Sequence, residues 1–160
     1  GSPSILYMAG SRPTTGWRGS RSSGIPPQTR GPGKWTYKTP TTESEQALAY
    51  QEQITGRPSW YVYEVDKVEF DGFNGKELLE AKGASYKKFT RKDGTLQPWF
   101  ENGDGFKGLL EQAGKQSLLA DRLNLPLVWH VAEVEFANAL RRVFRQNGLD
   151  RIDVRCTPPT

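Results

Sequence analysis

The chain has 160 residues, 35% apolar and 25% charged, with a net charge of +4, a balance that suits one globular domain plus irregular sequence. No apolar run approaches the ~20 residues of a membrane-spanning helix, and no secretory apolar core follows the start, where Gly1-Ser2 reads as a cloning remnant. Cys156 is the single cysteine and His130 the single histidine, which excludes an internal disulfide and a Cys/His zinc site.

In chain order, the first segment is an arm. Residues 1–40 hold seven Gly and six Pro, and every charge in them is basic: Arg12, Arg18, Arg21, Arg30, Lys34 and Lys38. Such a composition buries too little apolar surface to fold alone, so Tyr7, Trp17, Trp35 and Tyr37 are expected to anchor it on the body or on a partner chain. A role for its arginines in contacting nucleic acid is the alternative. From residue 41 onward 16 basic residues face 18 acidic ones, a balance of −2. The chain thus divides into a basic arm, 1–40, and a compact domain, 41–160.

Thr42-Glu43-Ser44-Glu45 has the pattern of a capping box and opens a helix that ends at Gly56. Strands are predicted over 60–63, 67–71 and 77–82. Helical spacing of Phe106, Leu109, Leu110, Ala113 and Ala120 predicts a helix over 105–123. Beyond Pro126 come a buried strand over 127–132, a helix over 133–147 stopped by Gly148, and a last strand over 152–156. The class is α/β, with helix, three strands, helix and strand as the leading order.

Within this order, Asp71, Glu80 and Lys82 form an Asp-x8-Glu-x-Lys pattern. Strand side chains alternate, so Glu80 and Lys82 share one face while Leu79 and Ala81 share the other. Asn74-Gly75 is a hairpin signal that returns Asp71 beside Glu80. Two carboxylates at one strand edge make a hard oxygen site suited to Mg²⁺, and the neighbouring ammonium can manage a phosphate or a water. Acids and lysines are common, and two strands joined by a turn can show this spacing by chance, the acids then serving as salt-bridge partners. The context argues for chemistry: Leu78-Leu79-Glu80-Ala81-Lys82 is otherwise apolar, and a buried charge costs several kcal/mol unless it is paired or bound to metal.

Other polar residues fall where a core would be apolar. Gln51 lies beside the inward face set by Ala47 and Ile54, and Gln116 lies inside the face of Leu109, Ala113 and Ala120, one turn after Gln112. Either glutamine could simply bridge to backbone; the functional reading is that both lean toward the acids and orient Glu80, a water or a phosphate. His130, the single histidine and so a candidate general base, sits on an apolar strand, where a hydrogen-bonded boundary position is the ordinary outcome. Arg141, Arg142 and Arg145 complement a helix dipole. Lys87, Lys88, Arg91 and Lys92, with Tyr86 and Phe89 interleaved for stacking on bases, are the phosphate and nucleic-acid candidates.

Five segments resemble the restriction-endonuclease-fold toxin 5 family, over about residues 46–158: Tyr50-Gln51-Glu52-Gln53-Ile54-Thr55-Gly56, Phe70-Asp71-Gly72, Leu79-Glu80-Ala81-Lys82-Gly83-x-x-Tyr86, Gln112-Ala113-x-x-Gln116 and Trp129-His130-Val131-Ala132-Glu133. The chain departs from the pattern at Gly114-Lys115, where a more basic run is expected. The resemblance implies a restriction-endonuclease-like αβββαβ core of the PD-(D/E)xK nuclease superfamily. It further implies a C-terminal toxin domain of a bacterial polymorphic or type VI secretion effector, acting in the cytoplasm of a target cell and neutralised by a cognate immunity protein. Asp71, Glu80 and the Ala81 carbonyl would hold Mg²⁺, with Mn²⁺ as an alternative, Lys82 would manage the attacking water, and the products would be a 5′-phosphate and a 3′-hydroxyl. DNA is the expected substrate and low specificity the expected behaviour, because no base-reading element is visible. An RNase, or a non-catalytic nucleic-acid-binding or secretion-adaptor domain that keeps the fold, stands as the alternative. The immunity protein would block either the cleft, as an acidic phosphate mimic, or the arm or a self-association surface.

Overall fold

A computed structural model of the protein describes residues 30–39, 43–83 and 85–160. Two of the expected arm anchors, Tyr7 and Trp17, lie outside the described residues, as do Arg12, Arg18 and Arg21. The elements are β1 (Lys34–Tyr37), α1 (Glu45–Thr55), β2 (Tyr61–Val65), β3 (Val68–Phe70), β4 (Gly72–Phe73), β5 (Leu78–Lys82), α2 (Pro98–Glu101), α3 (Asp104–Leu123), β6 (Leu127–Val131), α4 (Val134–Gln146) and β7 (Ile152–Cys156). A single 3-10 turn over Lys87–Phe89 separates β5 from α2.

The strands form two sheets. One is antiparallel in the order β1-β2-β3; the other runs β4-β5-β6-β7, with β5, β6 and β7 mutually parallel and β4 antiparallel to β5. This is an α/β fold of mixed topology, consistent with a restriction-endonuclease-like core.

Several boundaries differ from the expectations, each for a local reason. The first helix is capped by Ser44, whose Oγ accepts the N–H of Ala47 at 3.1 Å, two residues later than the capping box suggests. Gly56 closes that helix in the left-handed conformation, φ 69°, donating its N–H to the Glu52 carbonyl. The strand expected over 67–71 covers only Val68–Phe70. Asp66 and Lys67 both take positive φ, 47° and 67°, making a two-residue hairpin whose twist matches the flanking strands. Lys34–Tyr37, counted with the arm by composition, pairs with β2, and Trp35 is buried there while Tyr37 remains 60% exposed.

Alternation decides which layer each strand face meets. Gly72 pairs with Leu79, and a Cβ on Gly72 would meet Thr55 of α1. Likewise a Cβ on Gly83 would meet Ala47 and Tyr50, so Leu79, Ala81 and Gly83 face α1. The opposite face carries Leu78, Glu80, Trp129 and Val154 toward α3 and α4, where Trp129 meets Phe144 edge to face at 5.1 Å. The main core lies on that side, with Phe70, Leu127, Phe136 and Leu140 fully buried.

Candidate active site

The turn between β4 and β5 sets the first pair. The Asn74 side-chain oxygen accepts the N–H groups of Lys76 and Glu77, and Gly75 takes φ 95°, a value that suits glycine. With Gly72 opposite Leu79, Asp71 falls opposite Glu80 on the α3 face. Oδ2 of Asp71 accepts the N–H of Ala81 at 2.8 Å. Because a strand residue's N–H and C=O point to the same edge, the Ala81 carbonyl is turned toward Asp71 as well.

Glu80 is 3% exposed and accepts three hydrogen bonds. Its Oε1 accepts from Gln116 Nε2 at 2.9 Å; its Oε2 accepts from Gln112 Nε2 at 2.9 Å and from Lys82 Nζ at 3.1 Å. Lys82 Nζ also donates to Gln112 Oε1 at 3.0 Å and lies 4.9 Å from the centre of the Trp129 ring. Each amide has one orientation here. Trp129 Nε1 donates to Gln116 Oε1 at 2.9 Å, so the Gln116 nitrogen must serve Glu80 and the Glu69 carbonyl. Lys82 imposes the same constraint on Gln112. Helical i, i+4 spacing on α3 is what lets both glutamines reach one carboxylate.

The electrostatics follow from burial and proximity. Burial, reinforced by the charge of Glu80, raises the Asp71 pKa well above the usual carboxylate range, against the pull of Lys82 and the Ala81 N–H. Burial opposes the charge on Lys82, but Glu80, Tyr86 and Asp71 together outweigh it and raise its pKa. Lys82 is therefore an ammonium at neutral pH.

Lys82, Gln112 and Gln116 form the floor of an open cleft of about 810 Å³. Its walls include Tyr86, Lys88, Phe89 and Phe100, with Glu43, Lys67, Glu69, Glu111 and Lys115 around it.

The other residues singled out in the sequence lie outside the hydrogen-bond network of Glu80. Gln51 is buried on α1, beyond the Leu79 face of β5, and its amide donates to the Ser59 carbonyl at 3.3 Å; the structure does not bring it to Glu80. Tyr86 stacks on Phe136 at 4.6 Å and Phe89 on Phe100 at 4.1 Å, so one face of each ring is covered by protein, while both residues line the cleft. Lys87, Lys88, Arg91 and Lys92 are exposed. His130 has its Nδ1 2.8 Å from Thr157 Oγ1, and burial with the nearby Arg155 lowers its pKa; it lies opposite Ala81 in register, on the face away from Glu80.

Three contributors were not among the residues expected at the site. Gln112 was legible as the partner of Gln116 one turn away. Trp129 and Glu133 lie in a segment that carries the family resemblance, but their spacing does not show their partners. Glu133, at the N-cap of α4, accepts with Oε1 the N–H of Tyr86 at 2.9 Å and of Lys87 at 2.7 Å.

The family model described as restriction endonuclease fold toxin 5 matches residues 47–134, more than half of the chain. The chain belongs to that family. The matched span holds the acids, Lys82, the glutamines, Trp129 and Glu133, and the assignment supports a nuclease-toxin function of the PD-(D/E)xK superfamily. No curated protein matches the chain. Among the described residues no group of three or more His, Cys, Asp and Glu side chains stands ready for a metal. What the toxin domain offers is a pair of carboxylates, one with its charge disfavoured by the other, and a carbonyl. That donor set fits Mg²⁺, which is commonly held by one or two carboxylates and keeps several waters. No helix among the described residues is long and apolar enough to cross a membrane.

Proposed function

We propose that this toxin domain hydrolyses phosphodiester bonds of DNA in a Mg²⁺-dependent reaction of low sequence specificity. The observation that carries the reading is the position of Lys82. Its ammonium is held by Glu80 and Gln112 at the floor of an open cleft, on the sheet face that also carries Asp71.

Asp71, Glu80 and the Ala81 carbonyl would hold Mg²⁺, or Mn²⁺ in its place. Bound there, the ion would supply positive charge to a phosphate oxygen and acidify water. Lys82, with its raised pKa, donates rather than accepts: it orients the attacking water and stabilises negative charge gathering on the phosphorane. Gln112 and Gln116 keep both Glu80 oxygens aligned, and Trp129 fixes the Gln116 amide. The exposed Lys87, Lys88, Arg91 and Lys92 attract the phosphate backbone without reading bases. Gln51 supports the fold from the far side of the sheet.

The biological setting proposed is that of a secreted effector, delivered into the cytoplasm of a competing bacterium and held inactive in the producer by an immunity protein. The test is direct. Purified protein incubated with supercoiled plasmid should nick and linearise it with Mg²⁺, and not in excess EDTA. Lys82→Ala should be inert under both conditions. Cleavage that ignores EDTA, or that survives in Lys82→Ala, sinks the assignment; degradation of RNA with plasmid left intact would move it to an RNase.

A further inference from the structure

Four large apolar side chains among the described residues are more than half exposed: Tyr37, Trp99, Leu118 and Val134. Trp99 is the one whose ring meets the cleft wall. It is 61% exposed on the four-residue helix α2, packed 5.6 Å from Phe89 at 67° and 6.2 Å from Phe100 at 77°. At those angles neither neighbour stacks on an indole face. Phe89 and Phe100, stacked on each other, both line the cleft, and Trp99 packs against that wall on an aromatic base. An exposed tryptophan held this way has little freedom to lose when something flat lies on it.

The charges around it indicate what that is. The Lys88 ammonium lies 5.3 Å from the centre of the Phe89 ring. Lys87, Arg91 and Lys92 are exposed on the same segment, and Arg142 donates to the Gly94 carbonyl beside them. Glu133 is taken up by the amides of Tyr86 and Lys87, and within the segment 87–104 four basic residues face the three acids Asp93, Glu101 and Asp104. Asp93 is occupied by Thr95. A π-face next to a basic track is the arrangement that binds single-stranded nucleic acid, whose bases are free to stack and whose phosphates follow the cations.

Resting on the nuclease reading above, we propose that Trp99 is a stacking platform for an unpaired base. The strand entering the cleft would then be single-stranded or locally opened where it passes Trp99. Phe89 supports this platform, with Tyr86 packed edge to face on Phe89 behind it.

The experiment is binding, in EDTA, of a fluorescent single-stranded 12-mer DNA and of its duplex to wild type, Trp99→Ala and Trp99→Phe, with folding checked by circular dichroism. Trp99→Ala should weaken the single strand about tenfold, within the range for one stacked base, and the duplex by less than about twofold. Trp99→Phe should recover most of the loss. Equal weakening of both DNAs, or less than about twofold for the single strand, overturns the proposal; so does a Trp99→Ala defect confined to immunity-protein binding. Because no metal is present, the outcome is independent of whether the same protein cleaves plasmid, and a failure of the nuclease reading is seen separately in the Mg²⁺ assay.

Discussion

Oδ2 of Asp71 lies 2.8 Å from the amide nitrogen of Ala81, the residue between Glu80 and Lys82. That hydrogen bond ties the end of one strand to the acidic edge of the next and fixes the Asp71 carboxylate beside a second one. The cost is electrostatic. Burial and the Glu80 charge disfavour ionised Asp71 in the folded protein, whereas the unfolded chain ionises it near pH ~3.9. Between that pH and the raised folded value the native state binds more protons than the unfolded state, so this group's contribution to stability declines as pH rises through the window. Asp71→Asn removes the contribution. In EDTA, its Tm relative to wild type should climb as pH is raised from 4 upward, and a flat difference would refute the coupling.

Mg²⁺ should reverse the effect. A ligand at 100 times its Kd stabilises by about 2.7 kcal/mol, so saturating Mg²⁺ should raise the wild-type Tm at pH 7. Asp71→Asn and Glu80→Gln should lose most of that gain together with plasmid cleavage. Equal Mg²⁺ shifts in all three proteins would place the ion elsewhere.

The two glutamines of α3 should separate stability from activity. Gln116 is 1% exposed and bonded to Glu80, the Glu69 carbonyl and Trp129. Gln116→Ala strands buried partners and should cost about 3 kcal/mol in urea melts. Gln112 borders the cleft, where water can replace it. Gln112→Ala should therefore cost less than about 1 kcal/mol while lowering kcat tenfold or more, because Lys82 loses one of its two tethers. Matching losses of stability in the two variants would remove the distinction.

Glu133 positions the basic turn. Glu133→Ala frees the Tyr86 and Lys87 amides and should destabilise by about 1–2 kcal/mol, with a rise in KM for DNA larger than the fall in kcat. Glu133→Gln keeps an acceptor oxygen and should restore most of both; if it behaves like the alanine variant, the carboxylate's charge matters and not its hydrogen bonds.

Phosphate contacts are read most cleanly from salt. Each contact to duplex DNA contributes about −0.9 to the slope of log K against log salt. Lys87→Ala/Lys88→Ala should make that slope shallower by about 1–2 while leaving sequence preference unchanged. An unaltered slope would exclude both lysines from the interface.

Short-range rules were enough to assemble the acidic edge. Alternation along Leu78–Lys82 puts Glu80 and Lys82 on one face, and the Asn74-Gly75 turn returns Asp71 to them. These are properties of neighbouring residues, so they can be read from the sequence alone, as can the main helices, whose apolar spacing is periodic. Which helix supplies the amides is a different kind of question. Gln51 and Gln116 both sit on inward faces, but α1 covers the Leu79 side of β5 and α3 the Glu80 side, a choice made by how two layers pack on one sheet. The same packing covers Tyr86 with Phe136 and Phe89 with Phe100, leaves Trp99 outside, and turns Glu133 onto a loop 46 residues away in sequence from Lys87. Local sequence determines which side chains share a strand face; only tertiary packing decides what that face meets, because burial and hydrogen-bond satisfaction are settled between elements far apart along the chain.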